Sequence, residues 1–288
     1  FLYRLIAGNR EGLTNQQIAN RHAYLETNNG SDFIPGFDVN DTDTNEYTFS
    51  NDTLVRGLND AGTTVGSSFD VFYTLDYTQE AGTDITYVVN DFYSRAFATV
   101  NNTTIELPPI DDTAGGLSAA YDINNNNQVV GYSTAELNST TLQLAVDNCN
   151  DDVRGDEPAE VCLRRINIAT STGTSSGKAL ELSFQRRGTI WQLDNQGQII
   201  STKELGLLYT PEADDIRNFE SKALAINDNG VAVGESQDQY RDTVFIRTFA
   251  AVFDGDTVTG ITDDQTFTSS TATDINNNGL VVGSGVKQ

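Results

Sequence analysis

Four segments of this chain align without a gap, each reading as an aliphatic residue, Asn, two variable residues, Gly or Asn, two more, then Val-Gly. The fullest copy is Asp274-Ile275-Asn276-Asn277-Asn278-Gly279-Leu280-Val281-Val282-Gly283, and the others occupy residues 57–66, 122–131 and 225–234. Ala stands two residues upstream in three copies, at Ala120, Ala223 and Ala272. A repeat constrains the fold more tightly than composition does, because a unit too small to bury its own apolar face must stack on neighbours.

The copies are read as β-hairpins. An aliphatic residue (Leu58, Ile123, Ile226, Ile275) ends one strand and points into a core, and the Asn/Asp/Gly cluster reverses the chain. A Val-rich strand follows, closed by a Gly that allows a bulge or close backbone packing. Asn127 stands where the other copies have Gly, and Asn is the next best residue for a left-handed turn position. Between copies lie further hairpin patterns: 96–107 around Asn101-Asn102, 189–200 around Asn195-Gln196-Gly197, and 250–258 around Gly255.

Two hairpins per repeat make a four-stranded antiparallel unit, the size of a propeller blade. Ile226 and Ile275 are 49 residues apart, close to the kelch-like period of about 50. The expected fold is an all-β, propeller-like array of four-stranded antiparallel blades. The whole of 1–288 is taken as one repeat domain that starts and stops in mid-propeller, with about three full blades and two partial ones. The longer intervals place excursions at 134–180, read as a Ser/Thr/Gly-rich loop carrying both cysteines, and in the strand-rich segment around Val71–Tyr77. Residues 10–48 are a further excursion. Within it Thr14-Asn15-Gln16-Gln17 fits a capping box, and the spacing predicts a short helix over 14–26.

The motif Ala-x-Asp-Ile-Asn-Asn-Asn-Gly-x-Val-Val-Gly at 272–283, with Phe-Ala-Ala-Val-Phe at 249–253 upstream, resembles the "HAF" extracellular repeats. The likeness is to large secreted proteins of marine gammaproteobacteria with no assigned function, and it spans about residues 50–288. It implies a secreted, extracellular or periplasmic, propeller-like protein and brings no catalytic residues with it.

Chemistry is sparse by comparison. The only histidine, His22, sits beside Arg21 far from any nucleophile signal, and no phosphate loop, dinucleotide fingerprint, serine elbow or HExxH appears. Carboxylates are too many to single out an acid/base pair, and Tyr240-Arg241 is unanchored as a lyase-like site. No catalytic residue is assigned. With 41 Asp plus Glu against 17 Lys plus Arg, a net charge of −24 argues against nucleic acid and anionic membranes. No apolar run approaches a membrane span. The chain has no Met and begins at Phe1, so a missing signal peptide says nothing about secretion.

Calcium is the one cofactor the residues suggest. Asp274-x-Asn276-x-Asn278-Gly279 fits the opening of an EF-hand-type loop, and Asp122-x-Asn124-x-Asn126 is a looser copy. Against it, Gly285 falls where the closing carboxylate belongs, and a Val strand starts at once. The alternative is that the Asn side chains bond their own turn backbone. Cys149 and Cys162 lack metal-ligand spacing and are read as a disulfide, which points to an oxidising compartment. Function is read as a non-enzymatic binding, surface or assembly module. A polysaccharide-active enzyme with a channel site and a fibre subunit formed by strand-edge pairing are the alternatives. The expected partners are the rest of the same protein or another chain covering open sheet edges, and a glycan or surface ligand.

Overall fold

The computed structural model describes residues 23–27, 30–34, 53–69, 72–90, 94–112, 116–137, 140–163, 184–211, 219–241 and 245–287. Three four-stranded antiparallel sheets and a final hairpin follow one another along the chain. Unit I contains β3 (Thr53–Leu58), β4 (Thr64–Phe69), β7 (Ser94–Val100) and β8 (Thr103–Leu107). Unit II contains β9 (Ser118–Ile123), β10 (Gln128–Leu137), β11 (Phe184–Leu193) and β12 (Ile199–Glu204). Unit III contains β13 (Ser221–Ile226), β14 (Ala232–Gln239), β15 (Ile246–Asp254) and β16 (Thr257–Gly260). Unit IV is the hairpin of β17 (Phe267–Ile275) and β18 (Val281–Lys287). In every four-stranded unit the strands lie side by side in chain order, as a meander.

The repeat is visible in the registers. The pairing of first and second strands slips by one residue in each unit, between Val55 and Gly57, Ala120 and Asp122, Ala223 and Ala225, and Ala272 and Asp274. The motif's closing Gly faces this bulge. A Cβ on Gly131 would lie 1.9 Å from the Ala119 carbonyl oxygen, and one on Gly234 would lie 2.0 Å from that of Lys222, so no side chain fits. At the turns Gly62, Gly230 and Gly279 take φ near +80°, and Asn127 takes φ +58° in the same place.

Consecutive units stack face to face, with first strands β3, β9, β13 and β17 adjacent in that order. Val65, Ala96 and Leu107 of unit I enclose Ala120, Ile123 and Trp191 of unit II. Val130 of unit II meets Ala223, Ile226 and Phe253 of unit III. Val233 and Ala250 of unit III meet Ala272 and Ile275 of unit IV. Each motif Ile therefore packs back onto the preceding unit, and Ile123, Ile226 and Ile275 are all buried. Leu58 departs from expectation: it is 53% exposed. It belongs to the first of the stacked units, and no described four-stranded sheet lies on its outer side.

The excursions also differ from the sequence reading. Strand β10 continues to Leu137, and the segment expected as a loop over 134–180 contains helix α1 (Thr140–Asn150) and a 3-10 turn (Asp152–Arg154). Cys149 and Cys162 are bridged, with Cα atoms 5.4 Å apart. The insertion in unit I is a hairpin of β5 (Phe72–Thr78) and β6 (Asp84–Asn90). Both insertions interrupt the link from second to third strand, at the end of the units opposite the Asn-rich turns. They touch: the Tyr77 hydroxyl donates to the Asp156 carboxylate at 3.1 Å, and the Glu80 amide donates to it at 2.9 Å. In place of a helix through 14–26, residues Ala23–Thr27 form β1, paired with β2 (Gly30–Ile34). Residues 14–22, with His22, lie outside the described residues.

Candidate functional site

The four Asn-rich turns converge. Together they line a polar recess of about 300 Å³, to which each turn contributes its aliphatic residue, its Asn and the residue after it. Consecutive copies lie up to 103 residues apart in the sequence, and stacking of the first strands brings all four to one place.

Each motif Asn does two jobs. Its Oδ1 accepts two amides of its own turn: Ala61 and Thr63 for Asn59, Asn126 and Gln128 for Asn124, Asn229 and Val231 for Asn227, Asn278 and Leu280 for Asn276. These are the self-bonded turns the sequence allows. The second job was not anticipated. Asn59 Nδ2 donates to the Asn124 carbonyl at 3.3 Å, Asn124 Nδ2 to that of Asn227 at 2.9 Å, and Asn227 Nδ2 to that of Asn276 at 3.1 Å. The motif's Asn thus closes its turn and binds the next unit.

A second rail runs beside the first. The Asp60 amide donates to Asn125 Oδ1 at 3.0 Å, the Asn125 amide to Asp228 Oδ1 at 2.9 Å, and the Asp228 amide to Asn277 Oδ1 at 2.8 Å. A third set lies deeper. The hydroxyls of Ser118, Ser221 and Ser270 accept the amides of Ala96, Gly188 and Ala250, always from the third strand of the preceding unit. These serines stand four residues before the first position of each motif copy, so extending the alignment upstream exposes them.

The carboxylates in the recess are held differently. Asp122 is pushed above the usual carboxylate range, chiefly by burial, although the Ile226 amide donates to its Oδ2 at 2.9 Å; Asp274 nearby adds to the rise. Asp228 is held below that range by the Asn125 amide and by the Asn277 side chain.

The residues proposed for calcium are spread over these roles. In units II and IV the Oδ1 atoms of Asn124 and Asn276 each face two amide hydrogens, and Asn126 Nδ2 donates to the Asp228 carbonyl at 2.7 Å. Asp122 spans to unit III, and Asp274 Oδ1 accepts the Ile275 amide at 2.8 Å. Among the described residues no group of three or more His, Cys, Asp or Glu is placed to hold a metal ion. The Oδ1 atoms of Asn124 and Asn276 thus serve as acceptors of their own turns. Tyr240 and Arg241 lie beyond the far end of β14, where Arg241 rests against the Tyr240 ring and donates to the Asp264 carbonyl. No described helix is long and apolar enough to cross a membrane.

Stacked antiparallel sheets joined by side-chain ladders define this as an all-β repeat protein. The chain belongs to the family described as "Protein of unknown function (DUF3466)", which matches residues 3–288. No curated protein matches it.

Proposed function

We propose that the chain is a secreted, non-enzymatic, propeller-like module that binds ligands at the recess formed by its repeat turns. The observation that carries this is the convergence of four equivalent turns on one polar depression, which in this reading takes the part of a propeller's central channel. Its rim offers carboxylates and amides, the exposed Asp60, Asn125 and Asn277 and the half-buried Asp228, which suit a neutral ligand dense in hydroxyls, such as a glycan. The Cys149–Cys162 bridge supports an oxidising, extracellular or periplasmic setting, and the likeness to HAF-type repeats of secreted marine proteins agrees with it. The acidic surface keeps such a protein soluble in a salty medium.

A glycan array read in parallel with a hydrolysis screen tests this. Expected is binding without turnover, weakened at least tenfold by Asn125→Arg with Asn277→Arg, which fill the recess. Release of shortened glycan would transfer the protein to the enzymes; an array without any bound glycan would remove the ligand class.

A further inference from the structure

We infer that the chain holds a second binding site, for the carboxylate of an acidic sugar, where Arg56 lies on the ring of Tyr121. This site is separate from the recess and does not depend on a ligand there.

The motif copies themselves distinguish frame from variation. Thr53, Ser118, Ser221 and Ser270 occupy one position, and Val55, Ala120, Ala223 and Ala272 another, so small residues recur there. The residue that each bulge leaves unpaired differs every time: Arg56, Tyr121, Leu224 and Thr273. In stacked repeats the constant positions build the scaffold, and the varied ones are free to serve a ligand. A bulge also re-aims the side chain it expels.

Varied side chains meet across the units. The Arg56 guanidinium lies 4.8 Å from the centre of the Tyr121 ring, and Tyr121 stands 6.0 Å from Tyr132. Lys222 Nζ is 5.8 Å from the Tyr132 ring and 3.1 Å from the Glu235 carboxylate, which accepts the Thr271 hydroxyl at 3.0 Å. This line of contacts runs from unit I to unit IV. Arg56 is exposed and the other five residues are half-buried, so a ligand can reach them.

Arg56 is the member left open. Lys222 has Glu235. Every other arginine among the described residues has a hydrogen bond or ion pair to a protein oxygen. Arg56, among those same residues, has the Tyr121 ring and no oxygen. In a chain with 41 Asp plus Glu against 17 Lys plus Arg, a guanidinium without a carboxylate stands apart. Resting on the ring holds its plane, and its N–H fork then matches a carboxylate from outside with two parallel bonds.

The fold favours a sugar over a peptide as the bearer of that carboxylate. An extended peptide would add to the free edge of a first strand, and each first strand does end its sheet. The bulge breaks that edge beside Arg56 and Tyr121, which blocks regular pairing. A sugar needs no backbone ladder, and Tyr121 and Tyr132 offer it ring faces and hydroxyls.

Calorimetric titration of the full chain tests this with three probes: a glucuronate trisaccharide, the neutral glucose trisaccharide, and the latter sulfated at its C6 oxygens. Expected is binding of the glucuronate form at least tenfold tighter than either of the others. Arg56→Gln should weaken it at least tenfold, and Arg56→Lys, which keeps the charge without the fork, should recover only part of the affinity. Tyr121→Phe keeps the ring and should bind as the unmodified chain does, whereas Tyr121→Leu should not. Melting curves check folding, and Arg56→Lys serves if Arg56→Gln unfolds. Failure to bind the glucuronate form, equal affinity for the neutral one, or unchanged affinity in Arg56→Gln overturns the inference. A tighter grip on the sulfated form overturns the assignment to a carboxylate. Neutral glycans held at the recess are unaffected by Arg56→Gln, so the two proposals fail separately.

Discussion

The junctions between stacked units and the contact between the two insertions hold the molecule together in different ways. At the unit junctions, buried aliphatic residues lie beneath polar bonds that recur at equivalent positions, so one motif specifies both the turn and the stacking. The segment that follows helix α1, closed by the Cys149–Cys162 bridge, meets the β5–β6 hairpin through hydrogen bonds to one residue, Asp156. Repetition makes the first kind of contact cooperative across units, whereas the second opens locally. Sub-global opening is expected wherever apolar contact is thin and hydrogen bonds are exposed.

Ile226→Ala tests the cooperative side most severely. Ile226 is buried between units II and III, and truncation is expected to destabilise the whole array by about 2–5 kcal/mol in denaturant melts. A loss below about 1 kcal/mol would mean that the junctions do not carry the stability assigned to them. Asn227→Ala comes next. It strips two turn amides of their acceptor and removes the donor to Asn276, so a loss of about 2–3 kcal/mol is expected. Asn277→Ala, on the exposed rail, should fall well short of it.

Reducing the Cys149–Cys162 bridge sharpens the comparison from the other side. Closing a loop of this span is worth about 3 kcal/mol in the chain-entropy account, but that stability is local to the insertion. Hydrogen exchange should quicken across 140–163 while the main melting transition stays where it was. A matching drop in the main transition would show that the insertion is part of the cooperative core.

Much of this architecture was legible in the sequence. The turn at Asn127, the bridge, the paired hairpins and the burial of Ile123, Ile226 and Ile275 all follow from local chemistry repeated in register. Leu58 was misjudged because its burial depends on a neighbouring unit and not on its own strand. The inter-unit role of the Asn side chains was hidden for the same reason: a self-bonded turn already accounts for Oδ1, and nothing local says where Nδ2 points. Helix α1 was obscured by Ser and Thr around it, although Val146 and Cys149, three apart, supply its buried side. At the amino-terminal end the capping-box pattern suggested a helix where residues 23–27 pair as a strand.

Two smaller effects concern the recess. Asp122 has a raised folded-state pKa, so its ionised form is penalised in the fold. That penalty is absent below the unfolded value of about 3.8 and grows as pH rises through the folded one. Asp122→Asn keeps an acceptor for the Ile226 amide, and should raise the melting temperature at pH 7 with no gain near pH 3. A lower melting temperature at pH 7 would show that the charge itself is needed across the junction. The smallest expected effect is none: calcium and chelator should give the same melt for the unmodified chain and for Asp274→Ala. A calcium-dependent rise confined to the unmodified chain would place an ion in the last turn, because ligands of the folded state stabilise it by mass action.

Both natural insertions enter at the link between second and third strands, and they differ completely, one a hairpin and the other a disulfide-bridged helix. The Asn and Ser stacking bonds lie away from this link, and the Arg186–Glu220 pair that joins units II and III sits where β11 leaves it, so the link varies in length and content while the strand ends that anchor it stay fixed. The corresponding link of unit III, near 241–245, is short. It is the natural graft point of this scaffold, where a foreign peptide or an entire small domain can be displayed on the side away from the recess.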